Sequence, residues 1–451
     1  MTELPISPSR HLTAALQPFD SVPAVNFFVY PPLGRIEGGA RPIGDRLGLT
    51  NSLPDNEPYV AYVSVPYCLS RCNSCMCFRE LLPRTTEREV FLDKYVDALV
   101  RQVRAYGSTP RFTSGVCSAV FLGGGTASLL SVRQLERLLQ AMYSSLRMST
   151  DVEITLEGNP TDLTASYLAG AADIGVTRVS IGYQSGQQSV LDALKTIHSA
   201  DQGIEAMQAA IASKVQHVNI DLLYNVPGQT EEQWHADLRF VLDQEPQSVS
   251  VGDYIIFPKT RAARLVNKGK LPEQQSVAET YHWYQWATSE LEQRGYREQV
   301  REMFCQPGLE QQYVQLCGIE NREILALGSG ALGFVNGVQF RIVDNSRTFK
   351  SAMASGDAFI ADAVSVRATS KMMMERYIIH NLYASEVKRD GFATRFDCDL
   401  VDVFGKITSR LVEQGLATVD REALRLTDLG RAWRKNVYYE FYSVKEGSCV
   451  N

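Results

Sequence analysis

The sequence contains no run of about 18 apolar residues, the length a helix needs to cross a bilayer, so no membrane span is expected. Its opening, "MTELPISPSRHLTAALQPFD", lacks a basic leader followed by an apolar core, which argues against a signal peptide and for a cytoplasmic chain. Charge is modest, with a formal net of −6 and 21% charged residues, and no basic stripe is present. Neither nucleic acid nor an anionic membrane has an electrostatic reason to be the main partner. Low-complexity tracts are absent, as is any repeat beyond a strand–helix alternation. Cysteine is scarce too, at nine in 451 residues.

Four of those nine fall in "YCLSRCNSCMCF" (67–78): Cys68, Cys72, Cys75 and Cys77. Thiols clustered in a reducing compartment seldom pair as disulfides; they hold metal or carry redox chemistry. A structural zinc site takes two cysteine knuckles separated by a longer loop, or a Cys pair followed by a His pair. Here one loop provides everything, and the next histidine is His198. Spacing of three and then two residues suits three thiolates gripping an iron–sulfur cubane, with one iron left open to a small molecule. The scattered Cys117, Cys305, Cys317, Cys398 and Cys449 read as small buried hydrophobes.

A chain of this length exceeds what one core supports, so a large domain with attachments is expected. Residues 1–56 are rich in Pro and Gly and read as an irregular lead-in. Strands are then predicted at "YVAYVSV" (59–65), "GVCSAVFLGGG" (115–125), "DVEITLEGNP" (151–160), "VTRVSIGYQ" (176–184), "VQHVNIDLLYNVPG" (215–228) and "SVSVGDYII" (248–256). Helical text follows each, as in 87–106, 131–146 and 231–244. Six such units, filling 57–290, make a parallel α/β pattern with right-handed crossovers. In a barrel of this kind the active site lies at the C-terminal ends of the strands. The cysteines, the triple glycine, Glu157, Gln184, Asp221 and Tyr254 all stand there. Residues 291–365 look like Gly-punctuated strands, and 366–451 like a small helical module whose hairpin, "LATVDREALRLTDLGRAW", suggests a winged helix.

Six motifs in order, "YVSVPYCLSRCNSCMC", "FLGGGTASLL", "EITLEGNP", "VTRVSIGYQSGQQSVLDAL", "VNIDLLYNVPGQT" and "LRLTDLGRAWRKNV", resemble the radical S-adenosylmethionine (SAM) superfamily. The branch they resemble is that of oxygen-independent coproporphyrinogen oxidase, over about residues 56–440. The resemblance implies a partial (β/α)6 TIM-like barrel with a C-terminal extension and a winged-helix-like C-terminal domain. It implies a 4Fe–4S cluster on Cys68, Cys72 and Cys75, whose open iron chelates the amino and carboxylate groups of SAM. Cys77 would lie near the cluster without ligating it. By the same resemblance Gly123, Gly124, Gly125 and Thr126 border the methionine amino group, Glu157 holds SAM, Gln184 lies near it and Asp221 binds its ribose. Tyr62 and Phe78 either pack near cluster and adenine or belong to the core. Arg178 is either a second anion site or a structural salt bridge. This chain departs from the family where Ser64 replaces a histidine, and where Thr196, beside Lys195, replaces an arginine. A lone helical His198 reads as structural.

The resemblance covers several chemistries. The favoured expectation is a class C methyltransferase: one SAM yields the radical, a second yields the methyl group, and an sp2 carbon is methylated or cyclopropanated. Ser64 and the "EGNP" wording lean away from coproporphyrinogen. The alternatives are coproporphyrinogen III oxidation, anaerobic heme degradation, and a heme chaperone without such chemistry. Tyr254 and Gly328–Ser329–Gly330 are expected to line the second SAM and substrate pocket, with "VYPPLG" (29–34) as its lid. Tyr62, Cys77 and Tyr254 are the candidate catalytic residues. A flavodoxin- or ferredoxin-type electron donor is expected as partner of a monomeric chain. A DNA-binding regulator is disfavoured by the acidic charge.

Overall fold

The computed structural model describes residues 19, 29–33, 41–73, 75, 80–83, 87–256, 260–362 and 365–443. Cys77 and Phe78, each assigned a place near the cluster from the sequence, lie outside them. Six parallel strands form the centre: β1 (Pro58–Val65), β2 (Val116–Gly124), β3 (Met148–Gly158), β4 (Arg178–Gln184), β5 (His217–Tyr224) and β6 (Ser248–Asp253). They pair in chain order, as right-handed β–α–β crossovers require.

The crossover helices follow from their sequences. Helix α1 (Arg88–Gly107) buries Leu92, Tyr95, Val96, Leu99, Val103 and Tyr106, the three-and-four spacing of one helical face. Helix α2 (Val132–Ser145) starts at a capping box, Ser131 with Gln134. Helices α3 (Ala165–Asp173) and α4 (Gln188–Leu194) follow, and the same box opens α5 (Ala200–Ile211) at Ser199 and α6 (Glu231–Asp243) at Thr230. Helix α7 (Val277–Gln293) is capped likewise by Ser276 and Glu279.

Residues 291–365 do extend the sheet, but at both of its edges. Strands β7 (Arg297–Val300) and β8 (Met303–Cys305) continue it antiparallel beyond β6. Strand β9 (Ile324–Leu327) runs parallel to β1 at the opposite edge, followed by β10 (Leu332–Val335), β11 (Val338–Arg341) and β12 (Val366–Arg367). Twelve strands therefore form one sheet, in the order β7-β8-β6-β5-β4-β3-β2-β1-β9-β10-β11-β12. The lead-in is tied to this extension, because Arg41–Pro42 pairs with Ile360–Ala361. Helix α8 (Ser346–Ser355) packs on the α1 side.

From helix α9 (Ser370–Leu382) onward the chain forms the helical module, with a three-stranded sheet whose middle strand is Ala423–Leu426. It is bolted to the barrel by the buried Arg434, whose Nη2 lies 2.8 Å from Glu298 Oε2 on β7. The lid expected from "VYPPLG" is not seen over its described residues 29–33; Gly34 lies outside them. Tyr30 is fully buried against α9, where its hydroxyl donates to Glu375, its carbonyl accepts from Arg376, and its ring stands edge-on to Tyr442 at 4.6 Å. A large aromatic ring gains more from that apolar seat than from an exposed flap.

Candidate functional site

Side chains alternate across a strand, so every second residue of β1–β6 points into the barrel. The lowest interior tier is closed by a buried ion pair. Arg178 Nε donates to Glu153 Oε2 at 3.0 Å, and the guanidinium also donates to Ser248 Oγ at 3.1 Å and Leu309 O at 2.9 Å. Arg178 is thus the structural bridge of the two readings, with all three of its nitrogens engaged by the scaffold. In the next tier Tyr62 stacks on Phe121 with ring centroids 6.0 Å apart, and Tyr313 leans on Phe121 at 5.1 Å. Across from this aromatic wall, Ser180, Asn219 and Ser250 form a hydrogen-bonded polar shelf.

Above that shelf the inward positions are Gly123, Glu157, Gly182, Asp221 and Gly252. Glycine at three of these positions makes room for neighbouring side chains, since a Cβ would lie 2.9 Å from Gln184 Nε2 at Gly182 and 3.0 Å from Leu223 Cδ2 at Gly252. A Cβ on Gly123 would lie 2.4 Å from Glu157 Oε2, so the glycine is what lets that carboxylate stand inside. Asp221 is fixed by Ser180 Oγ at 2.9 Å and Asn219 Nδ2 at 2.8 Å. Both acids keep some accessible surface, yet protein surrounds them. Burial pushes the Glu157 carboxyl up to about 8, and the nearby Asp221 adds to the rise, against the Gly124 N–H bond that favours the anion. Asp221 is raised as well, again by burial, with its hydrogen bonds opposing. No cation of the described residues contributes to either shift.

The cysteine segment rests on the end of β2, above this tier. Tyr67–Cys68 pairs with Glu80–Leu81. A Cβ on Gly125 would meet Tyr67 O at 2.6 Å, so only glycine lets the end of β2 pass beneath the segment. Thr126 Oγ1 reaches Cys68 Sγ at 3.7 Å. Asn73 pins the loop to α4 through its backbone N–H to Leu194 O and its Nδ2 to Ala193 O, both at 2.8 Å. Burial pushes the Cys68 and Cys72 thiols up to about 11, and the Cys75 thiol nearby adds to both. Among the described residues no three Cys, His, Asp or Glu groups form a site for a single metal ion. Three thiols that oppose one another's ionisation fit a polynuclear cluster, whose positive irons let each become a thiolate.

The remaining sequence candidates divide. Lys195, left-handed at φ 57° where α4 ends, favours the Cys72 thiolate and so stands near the arginine position that Thr196 leaves vacant. Gln184 closes β4 with φ 64°, its Nε2 hanging over Gly182. Tyr254 follows β6; burial pushes its phenol up to about 12, with the Cys72 thiol adding, so it stands between the cysteines and a cavity of about 280 Å³. Tyr281, Tyr284, Trp433, Arg301 and Lys435 also line that cavity. His198 is structural, buried with Nε2 3.1 Å from Tyr183 O.

Gly328–Ser329–Gly330 departs from the expected pocket lining. Ser329 N–H donates to the Tyr95 hydroxyl at 2.9 Å, and its carbonyl oxygen accepts from Ser64 Oγ at 2.8 Å. Gly328 N donates to Gln102 at 2.8 Å, and all three residues are buried in the joint between β1, β9 and α1. Ser64, where the family has histidine, belongs to this joint. Sequence reasoning missed Phe121 and Tyr313. Phe121 was open to the alternation that places Gly123 inside, whereas Tyr313 arrives from a distant short helical turn, Gln312–Val314, with no local signal.

Residues 62–241 match the family model of the radical SAM superfamily. The chain is 25% identical over 387 residues to the heme chaperone HemW of Lactococcus lactis subsp. lactis, covering 85% of this chain and 97% of that one. It is also 25% identical over 383 residues to the anaerobilin synthase of Escherichia coli O157:H7, covering 84% and 82%. Its fold matches coproporphyrinogen III oxidase (HemN) from Escherichia coli, a radical SAM enzyme, with a TM-score of 0.79 over 96% of this chain and 98% of that one at 21% identity.

Proposed function

The chain belongs to the radical SAM superfamily, in its coproporphyrinogen oxidase-like branch, and on that premise we propose that it cleaves SAM reductively to act on a tetrapyrrole. The superfamily implies a 4Fe–4S cluster and SAM. Cys68, Cys72 and Cys75 hold the cluster in this reading, and when bound it supplies one electron to the SAM sulfonium, giving methionine and a 5′-deoxyadenosyl radical. The observation that carries the reading is the pair of enclosed carboxylates, Glu157 and Asp221, together in the barrel interior with no cation of the described residues to offset them. Enclosed acids are costly unless paired. A ligand that brings a positive ammonium and sulfonium together with ribose hydroxyls satisfies both.

Glu157 then binds the ammonium, Asp221 accepts from the ribose, and Tyr62 with Phe121 and Tyr313 forms an apolar floor that excludes water. Beside Tyr254, the flat faces of Tyr281, Tyr284 and Trp433 with the cations Arg301 and Lys435 suit a planar molecule bearing carboxylates. Relatives named for heme chaperoning and anaerobilin synthesis support a tetrapyrrole there. Methyl transfer with a second SAM in the same cavity draws no support from these relatives. A heme-carrier role is the second reading, favoured by similarity across 97% of a named heme chaperone.

Anaerobic reconstitution with iron, sulfide, SAM and dithionite tests this, with coproporphyrinogen and heme offered in turn. Formation of 5′-deoxyadenosine with a changed tetrapyrrole supports the proposal. S-adenosylhomocysteine beside it marks methyl transfer instead, and heme uptake without either nucleoside marks the carrier.

A further inference from the structure

One buried acid belongs neither to a scaffold ion pair nor to the pair in the barrel interior. Asp237 lies on α6, and its hydrogen bonds go to three consecutive residues that follow β4. Its Oδ1 accepts from Gly186 N at 3.0 Å and from Gln187 Nε2 at 3.1 Å. Its Oδ2 accepts from the Ser185 hydroxyl, whose oxygen in turn accepts from Gln187 N at 3.0 Å. A Cβ on Gly186 would lie 3.2 Å from Asp237 Oδ1 and 2.5 Å from the Tyr183 hydroxyl, so glycine lets the loop lie against the acid. Burial raises the Asp237 carboxyl, and the bonds from Ser185, Gln187 and Gly186 oppose the rise. One turn earlier on α6, Gln233 Nε2 adds a bond to Ser189 Oγ at 3.1 Å. The helix behind the barrel thus grips the loop at several points.

Gln184 immediately precedes that loop. Its φ of 64° is a left-handed conformation, which a non-glycine residue keeps only where its surroundings over-determine it. The β4–β5 register shifts between Ile181 and Gln184, so regular pairing does not hold the residue in place. Among the described residues the Gln184 amide has no hydrogen-bond partner. Its Nε2 lies over Gly182 instead, in the tier that holds Glu157 and Asp221. A strained backbone that delivers an unpartnered amide into the barrel serves no packing end, and the clamp on the next three residues is what maintains it.

We propose that Asp237 is the positioning residue for Gln184: it fixes residues 185–187 so that the Gln184 amide stays turned into the SAM site. Asp237 touches no ligand itself. The inference rests on the SAM reading above. A parent protein that takes up iron and sulfide yet binds no SAM refutes that reading and this proposal with it, whereas a SAM-binding parent isolates the role of Asp237.

The test is a double-mutant cycle, with SAM titrated by calorimetry into anaerobically reconstituted protein. Asp237→Ala and Gln184→Gly should each weaken SAM binding by roughly tenfold, about 1.4 kcal/mol. The double variant should bind no more weakly than the worse single one, because glycine at 184 leaves no amide to aim. Asp237→Asn should bind SAM as the parent does, since its Oδ1 keeps two bonds and the Ser185 hydroxyl can turn to accept from Nδ2. If Asp237→Ala does not fold, Ser185→Ala cuts one tether and enters the same cycle with a smaller loss. Losses that add in the double variant overturn the proposal and leave the SAM reading standing. So does parental affinity in Asp237→Ala.

Discussion

Two acids four residues apart on β3 point into the same barrel and meet opposite fates. Glu153 is locked to Arg178 and also accepts from the backbone N–H groups of Gln312 and Tyr313, each at 3.2 Å. Glu157, two tiers up, has a second carboxylate for company and glycines around it. The lower site is electrostatically finished and belongs to the scaffold. The upper one is complete only with a ligand. One strand thus carries a structural and a functional carboxylate, told apart by whether the fold supplies the counter-charge.

The largest effect should come from breaking the finished site. Arg178→Met strands Glu153 in the interior and should cost about 3–5 kcal/mol, read as a lowered urea midpoint. Glu157→Gln should leave that midpoint at or above the parent's but weaken SAM binding by roughly tenfold or more, about 1.5–3 kcal/mol for a bond to a charged group, read by calorimetry. A pH series sharpens the contrast. The Glu157 carboxyl lies near 8 in the fold against an ordinary 4.5, so between those values the folded state holds the extra proton. Apo-protein stability should therefore fall as pH rises through that window, and Glu157→Gln should flatten the slope. The smallest effect is expected outside both sites: Ser64→Ala, which removes the bond to Ser329 O, should cost about 1 kcal/mol and leave SAM affinity unchanged.

Much of this contrast was legible in the chain. Strand β3, read from 151–160, spans 148–158, and its terminal acid stands inside as expected. Thr126, taken from the resemblance, stands 3.7 Å from Cys68, and Tyr254, read as a strand-end residue, lines the cavity. The misreadings share one cause. Ser64 and Ser329 are 265 positions apart, and Tyr30 and Glu375 are 345 apart. Local pattern carries no information about such partners, so a buried joint looked like a pocket lining and an anchored tyrosine like a lid. Which of two acids finds a cation is equally non-local, since Arg178 comes from the neighbouring strand.

The wall that Trp433 and Lys435 give to the cavity beside Tyr254 has a bearing on biogenesis. Translation emits Trp433 about 360 residues after Cys75, a lag of roughly 20–70 s at ordinary elongation rates. In the part of that interval after Asp253, all six central strands have been made while this wall of the cavity is still inside or behind the ribosome. Entry to that cavity is therefore sterically easiest before the polypeptide is finished, and loading and synthesis become coupled in time.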